Sequence, residues 1–345
     1  MDRNIKIALC IIGIFVIASA FVILGQQHSE EEKTVVVYTS VDQVYSEPVF
    51  RNFERETGVK VLPVYDVEAT KTTGLVNRLI AEKARPQADV FWSGEFSQTI
   101  VLKNENILVQ YQSPSAADIP VQFKDAEGYW TGFGGRARIF MVNTDLLKPS
   151  QYPHSMYDML DEKYPAKTVS IAYPMFGTTA TQAAALYSYL GKDKAREFFT
   201  SLNNRGVRVV DGNSVVRDLV EDGQISYGLT DTDDACGAVE GGKNVTIIIP
   251  DQGEGDMGTL VIPNTVAMIA GAPHSEEAKV FMDYLLDKKQ ESAMVTSGWI
   301  QIPVRDIPAS ACINSTGIKT IPVSYQDTYY SLKPAQSDLT EIFIR

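Results

Sequence analysis

Apolar and polar positions between residues 34 and 95 alternate between short continuous apolar runs and helical spacing. "TVVVYTS" is a β-branched run bounded by polar residues, which predicts a buried strand. The spacing of Val49, Phe50 and Phe53 predicts a helix that ends at Gly58, where a C-terminal glycine is common. The pattern predicts strands at 34–40, 59–65 and 88–92, with helices at 44–57 and 73–83. Strands and helices that alternate in this way form βαβ units with a mostly parallel sheet.

A second series of the same kind follows the segment "GFGGRARIFMVN", in which "RIFMVN" reads as a strand that leaves the first series. It predicts strands at "TVSIAYP", "VRVVDG" and "ISYGLTD", helices that start at Thr181 and Ser214, a strand pair within 246–271, and helices at 275–289 and near the C-terminus. Because 345 residues is long for one hydrophobic core, we expect an α/β protein with two lobes.

The N-terminus carries a different pattern. Residues 7–25 contain no charged side chain and follow Arg3 and Lys6, which is typical of a membrane anchor or a secretory signal. No A-x-A site closes the segment, so an uncleaved anchor within residues 1–33 is favoured over a removed signal. Both alternatives place the rest of the chain outside the cytoplasm.

Composition narrows the function classes. A hydrophobic content of 44% with 21% charged residues indicates a folded globular chain. The net charge of −12 makes the surface a poor match for phosphate backbones, which excludes nucleic acid as a partner. Three cysteines make no disulfide framework, and whether Cys236 and Cys312 pair is left open.

Two strand-to-helix junctions in the second series carry candidate anion ligands. Gly177, Thr178, Thr179 and Thr181 lie at the first junction, and Asn213 lies at the second. Free N–H groups and the positive end of the helix dipole bind anions at such places. The alternative is that a threonine or the asparagine simply caps its helix.

Acidic residues follow the strand "ISYGLTD": Asp231, Asp233 and Asp234, with Glu240 beyond them. A calcium loop is excluded because Ala235 and Gly242 occupy positions that need ligands, and no transition-metal cluster of His and Cys occurs. We therefore predict no metal and no cofactor. The acids either face a cationic group of a ligand or lie in solvent.

Enzyme motifs give no support for catalysis. The sequence has no G-x-S-x-G, no phosphate-binding loop that ends in G-K-[ST] and no H-E-x-x-H. A carboxylate-dependent hydrolase that uses Glu95 with Asp231 remains an alternative, since an acid pair needs only geometry. A ligand-sensing domain is a further alternative.

Several segments together resemble the extracytoplasmic solute-binding proteins of ABC importers, in the group that includes the ferric-ion-binding proteins. The most specific are "ADVFW" and "IPNTVA" with "GAPHSEEAKVFMDYLL". The resemblance implies a two-lobe, type II periplasmic-binding-protein-like fold, no enzymatic activity, and a permease as partner. It divides the chain into lobe 1 at 34–139 plus 264–345 and lobe 2 at 140–263.

The resemblance also implies a ligand site at the carboxyl ends of the strands. Its predicted members are Tyr38, Thr39, Ser40 and Asp42 after the first strand, Ser93, Gly94 and Glu95 after "ADVFW", the anion ligands at 177–181 and 213, and Asp231 with Asp233. Ferric-binding members have an adjacent tyrosine pair where this chain has "TDTDDA". The favoured ligand is therefore 2-aminoethylphosphonate or a related phosphonate, whose anion meets the threonines and Asn213 and whose ammonium meets Asp231 or Asp233 with Glu95. Ferric iron with a companion anion is the alternative.

Overall fold

The structure is a computed structural model that describes residues 33–66, 74–175, 177–308, 310–314 and 317–344. The predicted anchor or signal segment at 1–33 therefore lies outside the described residues except for its last position. Within the described ranges, no helix combines the length and the apolar character needed to cross a membrane.

The secondary structure alternates as the sequence pattern predicts. The strands are β1 Thr34–Thr39, β2 Lys60–Tyr65, β3 Val90–Ser93, β4 Leu108–Val109, β5 Trp130–Asn143, β6 Val169–Ala172, β7 Arg208–Val210, β8 Tyr227–Asp231, β9 Val245–Ile248 and β10 Val261–Ile269. The α-helices are α1 Gln43–Thr57, α2 Gly74–Ala81, α3 Ser97–Asn104, α4 Gly177–Leu190, α5 Lys192–Arg205, α6 Asn213–Glu221, α7 Thr232–Glu240, α8 Ser275–Leu285, α9 Lys288–Thr296 and α10 Tyr325–Phe343.

The sheet divides into two halves that share β5. In the first half the order is β2-β1-β3-β10, in which β2, β1 and β3 are parallel and β10 is antiparallel to β3. In the second half β8, β6 and β7 are parallel to one another. The first part of β5 pairs with β10 and its last part pairs with β8 and β9. The half with β1–β4 and β10 is called the first lobe below, and the half with β6–β9 the second lobe.

The passage of β5 between the lobes depends on Gly135. A Cβ atom there would lie 2.3 Å from the backbone oxygen of Ile262, which no side chain can accommodate. The Gly135 N–H also donates to the Ile302 carbonyl at 2.7 Å. Three segments of the chain, at Gly135, Ile262 and Ile302, are therefore in close contact beside the point where the lobes meet.

Apolar helix faces cover the sheet on the first lobe. Phe50 and Phe53 of α1 contact Phe281 of α8, with ring centroids 5.9 and 5.1 Å apart. Helix α1 ends at Gly58, which has the left-handed conformation (φ 71°). The Gly58 N–H donates to the Glu54 carbonyl. The predicted helix over 44–57 and its glycine cap are thereby confirmed.

Helix α10 packs against α4 and α5 of the second lobe. The Tyr187 hydroxyl donates to the Asp338 carboxylate at 3.3 Å, and Arg196 pairs with the same carboxylate at 2.7 Å. The start of the helix contacts the first lobe, where the Tyr325 ring lies 4.4 Å from that of Phe96. The division into 34–139 plus 264–345 and 140–263 stays a prediction.

Three details of the predicted elements were wrong. Helix α4 begins at Gly177 and not at Thr181. The expected helix at 275–289 is two helices, because the Asp287 side chain caps a new one by accepting from the Lys289 N–H at 2.7 Å. The strands β9 and β10 do not pair with each other, since each pairs with β5.

A disulfide joins Cys236 of α7 to Cys312, which are 76 positions apart in sequence, with 5.5 Å between the Cα atoms. This answers the question that the sequence left open. Disulfides persist in oxidising compartments, so the bond agrees with a location outside the cytoplasm.

We expect the Cys236→Ala, Cys312→Ala double variant to lose about 2–4 kcal/mol of unfolding free energy, because the cross-link restricts the unfolded chain. Urea unfolding followed by circular dichroism measures the loss, and reduced wild type is the matched control. Equal midpoints for oxidised wild type and the double variant would contradict the stabilising role.

Candidate functional site

A cavity of about 200 Å³ lies where the two lobes face each other. One side of the cavity belongs to the first lobe and β5, and it is formed by residues that follow β1 and β3 together with Arg136. The other side belongs to the second lobe and is formed by α7. Its polar and aromatic lining consists of Ser40, Asp42, Tyr45, Gly94, Arg136, Asp233, Glu240, Asn264, Trp299 and Gln301. A space of this size fits a small solute rather than a drug-sized molecule.

Arg136 connects the two sides of this cavity. Its Nη2 donates to the Gly94 carbonyl at 2.8 Å, and its Nη1 lies 3.2 Å from Asp233 Oδ2 on α7. The Arg136 side chain is 28% exposed and that of Asp233 is 44% exposed, so solvent reaches the ion pair. The pair therefore spans the cleft and is open to exchange of partners.

Arg138 lies two positions further along β5 and is fully buried. Its Nη1 donates to Asp231 Oδ1 at 2.7 Å and contacts Thr178 Oγ1 at 3.1 Å, while Nη2 contacts Thr179 Oγ1 at 3.2 Å. Asn213 Nδ2 and the Thr178 hydroxyl both donate to Asp231 Oδ2, at 3.0 and 2.6 Å. The hydroxyl and amide groups predicted to bind an external anion thus surround an internal carboxylate.

Each aspartate of "TDTDD" has an arginine partner. Arg217 is 3.5 Å from Asp234 Oδ1, in addition to the pairs Arg138–Asp231 and Arg136–Asp233. These aspartates occupy the end of β8 and the first turn of α7 rather than a loop. The three carboxylates offer oxygens within 4.8 Å of one another, and the arginines offset the repulsion between them. The expected alternatives were an external cation or solvent, whereas the counter-charges belong to the chain itself.

The structure brings four of the predicted site residues to the cavity: Ser40, Asp42, Gly94 and Asp233. Thr39 and Ser93 are buried directly beside them, where Ser93 Oγ lies 3.3 Å from Ser40 Oγ. These positions follow from the parallel pairing of β1 with β3, which brings the carboxyl ends of both strands to one edge.

Other predicted members do not line the cavity. Tyr38 is fully buried, and its hydroxyl donates to Glu82 at 3.0 Å; burial and this carboxylate raise the pKa of Tyr38 to about 12. Successive side chains of a strand face opposite sides of the sheet, which directs Tyr38 away from the cavity. Glu95 caps α3 by accepting from the Ser97 and Gln98 N–H groups at 2.7 and 3.0 Å.

At the start of α4, the Thr181 hydroxyl bonds the carbonyl of Gly177 at 3.3 Å. Neither residue lines the cavity. Their hydrogen bond is a local one within the first turn of the helix.

Sequence reasoning missed Arg136 and Arg138, although both stand in "GGRARIF". Two arginines at alternate positions of an otherwise apolar strand lie on one face, and that spacing was the available signal. It also missed Tyr45 and Trp299, whose rings stack at 5.9 Å on the wall of the cavity. Trp299 lies far along the chain in a segment with no local sign of a site.

Asp234 has an unusual protonation equilibrium. Burial, followed by the negative charges of Asp233 and Asp231, raises the pKa of its carboxyl to about 7. A raised folded-state pKa means that the folded protein holds this proton between pH 4 and 7 after the unfolded chain has lost it. The stability that comes from the proton is full below pH 4 and is lost as pH rises through 7.

The side chain of Asp234→Asn is neutral at every pH, so the variant does not lose this stability. We expect its unfolding free energy relative to that of wild type to rise by roughly 2–4 kcal/mol between pH 5 and pH 8. Urea unfolding of both proteins at the two pH values gives the difference. Asp193→Asn, an exposed carboxylate change on α5, is the control. A wild-type to Asp234→Asn difference that stays constant with pH would contradict the raised pKa.

Relatives of the chain are binding proteins. A protein of Salmonella typhimurium, named as a candidate 2-aminoethylphosphonate-binding periplasmic protein, is 27% identical over 307 residues, which cover 86% of this chain and 84% of the relative. An Fe(3+)-binding periplasmic protein of Serratia marcescens is 21% identical over 291 residues, which cover 83% of each. The crystal structure of Mannheimia haemolytica ferric iron-binding protein A in an open conformation matches with a TM-score of 0.78 at 21% identity, covering 90% of this chain and 98% of that one.

The structural match confirms the two-lobe periplasmic-binding-protein fold with a ligand cleft between the lobes. The family model for bacterial extracellular solute-binding proteins matches residues 49–311, which include the strands that cross between the lobes and every residue of the cleft named above except Ser40, Asp42 and Tyr45. The chain therefore belongs to the bacterial extracellular solute-binding proteins, the family that delivers small solutes to the permeases of ABC importers.

Proposed function

We propose that the cleft captures a small solute that carries both a negative and a positive charge, with 2-aminoethylphosphonate as the favoured ligand. The observation that carries this proposal is the Arg136–Asp233 ion pair, which joins the two sides of the cleft at 3.2 Å. A zwitterion offers each of these side chains an opposite charge, so it fits between them. The Salmonella relative named for this ligand supports the assignment.

Exchange of partners at this pair is energetically feasible. A solvent-exposed ion pair contributes only about 0–1 kcal/mol, so little free energy is lost when it opens. A phosphonate makes stronger, charge-assisted bonds with a planar guanidinium. Arg136 then binds the phosphonate and Asp233 binds the ammonium, with the negative charges of Asp42 and Glu240 close by.

Binding in this position draws the lobes together. The Gly94 carbonyl holds Arg136 on the first-lobe side, while Asp233 belongs to α7 of the second lobe. A ligand that bonds both side chains bridges the lobes and favours the closed arrangement. The side chains are already in place, which lowers the entropic cost of binding.

Three of the predicted anion ligands support this site without lining it. Thr178, Thr179 and Asn213 use their polar atoms on Arg138 and Asp231. They fix β5 against the start of α7, and so they position Arg136 and Asp233. In this proposal the phosphonate meets Arg136 instead of the threonines.

Ferric iron with a companion anion is the second candidate ligand. Three carboxylates, Asp42, Asp233 and Glu240, line the cavity with the phenol of Tyr45, and hard cations prefer oxygen ligands of this kind. The Serratia relative named for Fe(3+) supports this alternative. Against it, "TDTDDA" has no tyrosine.

The protein binds its solute without changing it. The acid pair of the hydrolase alternative is engaged within the chain, since Glu95 caps α3 and Asp231 pairs with Arg138. Phosphorus NMR that shows 2-aminoethylphosphonate converted after incubation would contradict the binding-only role.

Residues 1–33 hold the protein at the outer face of the membrane, because residues 7–25 are apolar and uncharged.

We expect isothermal titration calorimetry to show 2-aminoethylphosphonate binding that weakens at least about tenfold in Arg136→Gln, because a bond between charged groups is lost. Arg51→Gln makes the same charge change on an exposed arginine of α1 that does not line the cavity, and it should retain affinity within about twofold. No heat at millimolar ligand, with tight binding of ferric citrate, would instead establish the iron alternative.

Ethylphosphonate, which lacks only the amino group, tests the role of Asp233. Wild type should prefer 2-aminoethylphosphonate, and Asp233→Asn should bind the two ligands about equally, since the carboxylate that contacts the ammonium is gone. An unchanged preference in Asp233→Asn would remove the ammonium assignment and leave the Arg136 result to stand alone.

A further inference from the structure

Helix α7 presents one face to the cleft between the lobes. Asp233, Cys236, Gly237 and Glu240 all line the cavity of about 200 Å³. They occupy positions i, i+3, i+4 and i+7 of the helix, which lie on one side of it. Three of the four carry side chains, so Gly237 is a gap in this face, and a carboxylate lies on either side of the gap along the helix.

The backbone conformation at position 237 does not require a glycine. Gly237 lies within α7, and its φ is outside the left-handed region that Gly58 occupies at the end of α1. A glycine within a helix makes the helix less stable than an alanine does, because it loses more conformational freedom on folding. Local backbone geometry therefore gives no reason for a glycine here.

Packing gives no reason for it either. Apart from the neighbouring helix backbone, no described atom would lie within 4 Å of a Cβ atom at Gly237. At Gly135, by contrast, a Cβ atom would lie 2.3 Å from the Ile262 carbonyl oxygen. Because Gly237 lines the cavity, the space that its side chain would fill is the cleft itself.

A side chain at position 237 would cover Asp233. Side chains of a helix lean towards its N-terminus, so the residue at i+4 lies over the turn that holds residue i. With glycine at 237, the carboxylate of Asp233 stays open to the cleft, and its side chain is 44% exposed. The gap thus begins beside the ion pair of Asp233 with Arg136.

Glu240 and Gly298 bound the other end of the gap. Glu240 Oε1 is 3.9 Å from the position that a Cβ atom would take at Gly298, which also lines the cavity and precedes Trp299. Seven helical residues separate Asp233 from Glu240, a rise of about 10 Å. A path of this length accommodates a short alkyl chain with an ammonium group, which both carboxylates attract.

We propose that Gly237 is a specificity-determining residue of the cleft. Its missing side chain leaves room for the aminoalkyl part of the solute, which lies along α7 between Asp233 and Glu240. This inference rests on the proposed function, because it takes the phosphonate to be bound at Arg136. The class of ligand that fits is a short, unbranched aminoalkylphosphonate, since a branch would need the space that faces the helix.

Filling the gap should weaken binding and stabilise the helix at the same time. We expect Gly237→Ala to raise the melting temperature of the free protein by about 1–3 °C. Calorimetry should show 2-aminoethylphosphonate binding about threefold more weakly in Gly237→Ala and at least about thirtyfold more weakly in Gly237→Leu, because the added side chain displaces the ammonium from Asp233. Opposite signs for stability and affinity separate a role in binding from a folding defect.

Two controls locate the effect. Methylphosphonate ends at its first carbon, so it reaches Arg136 without passing over Gly237. Its affinity, measured by phosphorus NMR titration, should stay within about twofold of wild type in Gly237→Leu. Ala293→Leu adds a comparable side chain on the exposed surface of α9, outside the cavity, and should leave 2-aminoethylphosphonate binding within about twofold of wild type.

Unchanged 2-aminoethylphosphonate affinity in Gly237→Leu would overturn this inference, and it would leave the proposed function intact if Arg136→Gln still weakens the same ligand. Equal losses for methylphosphonate and 2-aminoethylphosphonate in Gly237→Leu would also overturn it, because the side chain would then block the whole cleft. Wild type that binds no 2-aminoethylphosphonate would overturn both the inference and the proposed function.

Discussion

The cleft depends on two ion pairs between β5 and the start of α7. Arg136 and Arg138, at alternate positions of β5, pair with Asp233 and Asp231 respectively. The buried pair Arg138–Asp231 at 2.7 Å fixes α7 on β5, and breaking such a pair by removing one partner is strongly destabilising. The exposed pair Arg136–Asp233 lies on the same strand face and gains its position from the buried one. One pair therefore holds the structure, and the other is the pair at which we propose that a ligand exchanges partners.

The sequence predicts the parts of this fold that local spacing determines. The strands at β1 and β3 and the helix that ends at Gly58 follow from apolar periodicity and a glycine cap, both of which act over a few residues. The edge of the sheet where Ser40 and Gly94 meet also follows, because parallel strands bring their carboxyl ends together. The family resemblance, read from a few segments, gave the two-lobe fold.

Local spacing does not predict which charged side chains pair with each other in the folded protein. Asp231 and Arg138 are 93 residues apart, and nothing near either residue identifies the other. An aspartate at a strand end has the same sequence pattern whether it faces a ligand ammonium or a guanidinium of its own chain. The direction of Tyr38 does follow from local spacing, because Val35 and Val37 are buried on one face of β1 and the residue between Val37 and Thr39 faces the other.

Helix α10 is a second connection between the lobes, in addition to β5. Its first residue, Tyr325, packs on Phe96 of the first lobe with ring centroids 4.4 Å apart, whereas the rest of the helix packs on α4 and α5 of the second. Any rearrangement of the lobes therefore has to be accommodated at the start of α10 as well as along β5.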